Sequence, residues 1–231
     1  MKINYETLKN ICLSPIESFK TLGDVVETKD GIYIYKSRPD SKILAVAHLD
    51  TVLSINHFHK IEGEDIVFNA QLDDRLGVYT LLDLLPGMGV KFDLLLTEGE
   101  ETGQSTAAYF EGDKKYNWMF SFDRHGEDVV LYQYDDKDSR SLLQESGFKP
   151  SLGSFSDIAF LGHLGIKGFN FGTGYEGEHS AMCYANINAL KRQAKRFVHF
   201  YNANKNTKLN HVNSPVYSGY YSHREYDDLY C

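Results

Sequence analysis

Short apolar runs, each ended by turn-forming residues, recur along the chain. Residues 31–36 (GIYIYK) and 42–47 (KILAVA) are β-branched or apolar and predict strands. Residues 65–69, 92–97 (FDLLLT), 118–122, 129–134 and 167–171 predict five more. Between them lie longer segments that predict helices over 4–12, 15–22, 74–85, 102–110, 139–147, 157–164 and 187–201. Ser14-Pro15 suits a cap and first turn. In the 74–85 helix, Leu81, Leu82, Leu84 and Leu85 point to deep burial. Apolar strands alternating with helices predict an α/β fold: a mostly parallel central sheet with helices on both faces. Such sheets place their sites at the carboxyl ends of the strands.

No repeat or Pro/Ser/Gly linker divides the chain. Residues 1–205 read as one domain and 206–231 as a Tyr-rich arm carrying Tyr217, Tyr220, Tyr221, Tyr226 and Tyr230. Tyrosine, with an apolar ring and a polar tip, suits an arm packed on the domain or one that joins copies into a homo-oligomer.

Composition narrows the possibilities. Of the 231 residues, 42% are hydrophobic and 24% charged, which is the balance of a folded domain. The formal charge of −8 argues against nucleic acid as a general partner. The most apolar stretch, residues 81–96, is broken by Asp83, Pro86, Lys91 and Asp93, so no membrane span is expected. The first residues carry no secretory signal pattern. Cys12, Cys183 and Cys231 are far apart and show no CxxC spacing, which argues against a disulfide framework or a cysteine zinc site. The expectation is a cytoplasmic protein.

The chemistry sits at the strand ends. KILAVA is followed by His48-Leu49-Asp50, and the Leu-rich helix is preceded by Asp73-Asp74. FDLLLT is followed by Glu98-Gly99-Glu100-Glu101, the 118–122 strand by Asp123-Arg124-His125, and GFNFGTG by Tyr175 and then Glu178-His179-Ser180. A lone acid at a strand end is usually a cap or a turn former. Converging on one sheet edge, these groups would repel one another unless cations sit among them. Carboxylate and imidazole donors suit Zn²⁺, Co²⁺ or Mn²⁺. Two such ions can activate a water for hydrolysis, with a further carboxylate moving the proton.

The ordered set AHLDT, LDDRLG, GEETG, FDRHG and GEHSA resembles the co-catalytic zinc exopeptidases. These are the bacterial leucine-aminopeptidase and glutamyl aminopeptidase types, with the related dizinc carboxypeptidases and deacylases. The resemblance implies His48 and Asp123 as ligands of one metal, with Asp50 orienting His48. It implies Asp73 as a bridging carboxylate, joined to Asp74 by a peptide open to the cis form. Glu101 and His179 would hold the second metal, and Glu100 would be the general base. The 24 residues between His48 and Asp73, and the 55 between Asp123 and His179, leave no room for the inserted domains of the larger relatives. The implied protein is a single-domain, dinuclear metal-dependent aminopeptidase. It would hydrolyse N-terminal residues of short peptides through a dimetal-activated water, with two divalent ions, zinc foremost, as cofactors. A carboxypeptidase or an N-acyl amino-acid deacylase acting on acylated amino acids is the alternative, and a non-catalytic binding or assembly protein is a third reading.

Three further residues are candidates. Tyr175 suits an oxyanion or substrate contact, or the core. Arg124 suits a substrate carboxylate, or neutralisation of the acidic site. Ser156, ahead of Asp157, reads as a helix cap.

Overall fold

A computed structural model describes residues 2–112 and 114–212. The tyrosines of the C-terminal arm and Cys231 lie outside the described residues. The strands are β1 (Asp24–Thr28), β2 (Gly31–Lys36), β3 (Ile43–His48), β4 (His59–Lys60), β5 (Ile66–Phe68), β6 (Asp93–Thr97), β7 (Trp118–Arg124), β8 (Val129–Val130), β9 (Pro150–Ser151), β10 (Gly168–Gly172), β11 (Tyr175–Glu176) and β12 (Tyr184–Asn186). The α-helices are α1 (Tyr5–Leu13), α2 (Leu72–Tyr79), α3 (Leu85–Gly87), α4 (Lys137–Glu145) and α5 (Ile187–Asn204).

The main sheet runs β1-β2-β6-β3-β7-β10-β8-β9. Its centre, β6, β3, β7 and β10, is parallel, as the alternation of strands and helices predicts. These strands read as continuous apolar runs because both faces are covered. Period-two alternation sends Ala45, Leu94, Leu96, Trp118, Phe120, Phe122, Phe169 and Phe171 to one face, where they pack with α2 and α5 residues such as Val78, Phe197 and Phe200. Each buried aromatic there contributes about 1.5–3 kcal/mol of transfer free energy. Leu44, Val46, Leu95 and Met119 face the other way, against Ala107, Ile158 and Leu161.

That second face carries 3₁₀ turns rather than the α-helices expected. Residues 102–110 yield only Thr106–Tyr109, because Glu98 to Ser105 form a closed loop. Asp157–Leu164 is 3₁₀, as is Ile16–Leu22 on the N-terminal side. The strand expected over 129–134 stops at Val130. Tyr132–Tyr134 turns away so that the hydroxyls of Tyr132 and Tyr134 donate to the carbonyls of Phe155 and Ile158.

A second, antiparallel sheet, β11-β12-β5-β4, stands beside the first. Cys12 and Cys183 are buried and unbridged. Past residue 205 the chain stays attached: Leu209 and His211 exchange backbone hydrogen bonds with Asn117, Lys167 and Gly165. No helix among the described residues is long and apolar enough to cross a membrane.

Candidate metal centre

Four segments at the carboxyl ends of β3, β6 and β7 and at the start of α2, together with the β11–β12 hairpin, bring the expected side chains together. His48 is the last residue of β3 and is fully buried. Its Nδ1 lies 2.9 Å from the carbonyl oxygen of Asp50. A carbonyl only accepts, so Nδ1 carries a hydrogen and Nε2 is the ring atom turned into the site. Asp50 thus meets the ring through its carbonyl, with its carboxylate next to the same nitrogen. The carboxylate is 3.6 Å from Nδ1 through Oδ1, and its Oδ2 accepts the Glu101 amide at 3.1 Å.

Around Nε2 of His48 stand Asp73 Oδ1 at 3.4 Å, Asp123 Oδ1 at 3.5 Å and Glu100 Oε2 at 3.8 Å. The other Asp73 oxygen lies 3.4 Å from His179 Nε2, which is 3.0 Å from Glu101 Oε2. Asp73 therefore faces both imidazoles, one with each oxygen.

Local folding explains the placement. Asp73 and Asp74 precede the regular turns of α2 with non-helical dihedrals, and the peptide between them is cis. Asp74 Oδ1 accepts the Gly77 amide at 3.1 Å, so Asp74 caps the helix and Asp73 is left free to face the site. Position 77 must be glycine, since a Cβ there would fall 2.1 Å from that same Asp74 oxygen. After β6, Gly99 adopts φ 81° and the Gln104 and Thr106 amides bond back to the Gly99 and Glu98 carbonyls, presenting Glu100 and Glu101 from a closed loop. His179 sits in the left-handed region, φ 58°, in the β11–β12 loop.

Burial and crowded charge dominate the electrostatics. Burial, aided by Asp123, Asp157 and Asp73 and opposed by His48, pushes Glu100 up to about 9. Burial also raises Asp123, to about 7, and Glu101 and Asp74. Burial works to lower His48, but the carboxylates of Asp123, Asp50 and Asp73 around it outweigh that and the imidazole is raised. The hydrogen bond to Asp73 takes His179 up to about 9. Asp73 is lowered against its burial by the two imidazoles.

The cluster fits divalent metal. His48 Nε2 and Asp74 Oδ2 are buried with no hydrogen-bond partner. Ligand-type atoms of His48, Asp74 and Asp123 lie within 4.8 Å of one another, as do those of His48, Asp73 and Glu101. Two ligands about 2.0–2.1 Å from a tetrahedral ion stand about 3.3–3.4 Å apart. The separations of 3.0–3.5 Å among His48, Asp73, Asp123, Glu101 and His179 match that spacing.

The weaker candidates take other places. Tyr175 is buried in the core, within the electrostatic reach of Asp73 and Asp123. Arg124 is held by Asp128, at 3.0 Å from Nε and 3.4 Å from Nη2. Ser156 makes no cap bond, and its hydroxyl goes to Asp123. Sequence reasoning passed over Asn170, whose side chain bonds both backbone groups of Asp123 from inside β10, where it reads as one more core position.

No protein-family model matches the sequence, and no curated protein sequence matches it. Comparison of structures does find chains of similar fold. A tripeptidase from Staphylococcus aureus superposes with TM-score 0.64 at 14% identity, over 89% of this chain and 100% of that one. Aminopeptidase PepT from Bacillus cereus gives 0.60 at 12% identity, over 85% and 96%. The TET1 peptidase of Pyrococcus horikoshii, which can assemble into a tetrahedron or a large octahedral shell, gives 0.58 at 14%, over 84% and 97%. The chain has the fold of these peptidases.

Proposed function

We propose that the protein is a metal-dependent exopeptidase, an aminopeptidase acting on short peptides. The observation that carries this reading is Asp73, set 3.4 Å from each of two imidazoles, with the unligated Glu100 beside them. In this reading His48, Asp123 and Asp73 hold one divalent ion and Asp73, Glu101 and His179 a second, with zinc the foremost candidate and Co²⁺ or Mn²⁺ able to substitute. Such a pair supplies Lewis acidity, lowering the pKa of water and polarising a carbonyl.

The chain's own residues do the rest. Glu100, mostly buried and close to His48, takes the proton of the attacking water at its carboxylate and passes it to the leaving amine. Water and amide become a carboxylic acid and an amine. Glu178 adds negative charge beside His179, and the acidic centre suits a substrate's free ammonium. Arg124, occupied by Asp128, weighs against capture of a substrate carboxylate there. The peptidase folds found by comparison support the same reading, and the assembly of one of them makes a homo-oligomer a natural form for this chain too.

The test is mass spectrometry of a pool of free, N-blocked and C-blocked peptides after incubation with protein reconstituted with Zn²⁺, Co²⁺ or Mn²⁺. Stepwise loss from free N-termini alone is expected. Loss from C-termini would make it a carboxypeptidase, and loss of the acyl block a deacylase. No metal-dependent cleavage would leave a binding or assembly protein.

A further inference from the structure

Asp123 is held more completely than any coordination role requires. Its amide donates to Asn170 Oδ1 at 3.0 Å, and its carbonyl accepts from Asn170 Nδ2 at 2.8 Å. Asn170 Nδ2 also reaches the Tyr132 hydroxyl at 2.9 Å, and that hydroxyl donates to the Phe155 carbonyl at 2.9 Å. The backbone on both sides of the carboxylate is thus pinned across two neighbouring parallel strands.

The carboxylate is pinned as well. Ser156 is fully buried, and its hydroxyl donates to Asp123 Oδ2 at 2.8 Å. Ser156 cannot drift, because the next residue is anchored. The buried carboxylate of Asp157 accepts from Thr97 Oγ1 at 2.6 Å and from the Ser105 hydroxyl. Thr97 and Ser105 are the two ends of the loop that presents Glu100 and Glu101. One dipeptide therefore ties the β7 end to the β6 loop.

A carboxylate has two equivalent oxygens and can offer either or both to a cation. Here one is spoken for. We propose that Ser156 is a positioning residue: by engaging Oδ2 of Asp123 it leaves Oδ1 as the one oxygen offered to the ion beside His48, an inference that rests on the metal reading above. Removal of the hydroxyl frees Oδ2 and lets the carboxylate turn. Among the described residues Ser156 makes no hydrogen bond to Glu101 or His179, so its removal should leave them in place. The effect is confined to one of the two ions.

The experiment compares wild type with Ser156→Ala and Ser156→Thr. Metal-free protein is titrated with Zn²⁺ against a chromophoric chelator, and the visible spectrum of the Co²⁺-loaded form is recorded. Ser156→Ala is expected to bind one ion as wild type does and the other about 10–100-fold more weakly, the range seen when a group supporting a ligand is lost. Its Co²⁺ absorption should change with that ion alone, and Ser156→Thr, which keeps the hydroxyl, should return both readouts toward wild type. The proposal is overturned if Ser156→Ala binds both ions with unchanged affinity and spectrum. Equal weakening of both ions, or loss of fold by circular dichroism, would also overturn it by showing a merely structural role. Wild-type protein that binds fewer than two ions would sink the metal reading itself, a result distinct from any difference between variants.

Discussion

The two halves of the site are built differently. His48 and Asp123 lie at the bottom, on adjacent parallel strands, and their side chains are 1% and 7% exposed. His179 is on a hairpin loop and its side chain is 52% exposed. The inner half is fixed by main-chain geometry: a sheet register, a helix cap and an asparagine inside a strand. The outer half is fixed by a left-handed residue and by its contacts with Asp73 and Glu101. The strands fix the inner half and a loop carries the outer one; for the hydrolase proposed above, which would have to release its product, one half of each kind would be an advantage.

The largest expected effect separates chemistry from metal holding. Glu100→Gln should lower kcat by about 10²–10⁴-fold while both ions still bind, because the amide cannot take a proton. Steady-state kinetics beside a metal titration checks it, and unchanged turnover would remove Glu100 from the reaction.

The comparison itself is broken or upheld by His48→Ala against His179→Ala in metal-free protein. Loss of the buried imidazole strands its carboxylate neighbours and should cost on the order of 3 kcal/mol in urea unfolding. Loss of the exposed one should cost less than about 1 kcal/mol. Equal costs would mean that the two halves are equally embedded.

A smaller effect follows pH. Glu100, raised to about 9 from the ordinary 4.5, keeps a proton in the folded state that the unfolded chain releases. His179, raised to about 9 from 6.5, does the same. At these two groups the folded state binds more protons, so their contribution to metal-free stability is fully present below the ordinary values and declines as pH rises toward 9. Thermal unfolding across that range should show the decline, and saturating Zn²⁺ should flatten it. The smallest effect is at Arg124. With its guanidinium on Asp128, Arg124→Ala should change kcat/KM on N-free peptides by less than about threefold, since the partly buried pair turns Arg124 toward Asp128 and away from substrate. A drop confined to peptides with a free C-terminus would return Arg124 to the substrate.

Much of this was legible in the sequence where one physical signal dominates. The central strands announce themselves as apolar runs because both their faces are buried. Most donor residues stand out because they follow such a run, and Asp73 because it stands before the Leu-rich helix. The second sheet was mostly illegible, since β4, β11 and β12 are two or three residues long and carry no periodicity. β1 was missed because DVVET is an exposed edge strand with no alternation to read. Ser156 looked like a cap because a serine before an acidic helical residue usually is one; only tertiary contact shows its hydroxyl turned the other way. Asn170 gave no signal, because a polar residue between two buried phenylalanines is interpretable only once its partner strand is known.

The spread of the donors along the chain, from residue 48 to residue 179, bears on how the molecule comes together. His48 and Asp123 meet only after β3 and β7 have paired, and His179 joins only after its hairpin has docked. Such distant closures are slow and come late in folding. A cation held there, as proposed above, would bind the finished chain rather than an earlier form, and so would prolong the life of the native state far more than it hastens its formation. In a cell short of that ion, the persistence of the protein would fall along with its activity.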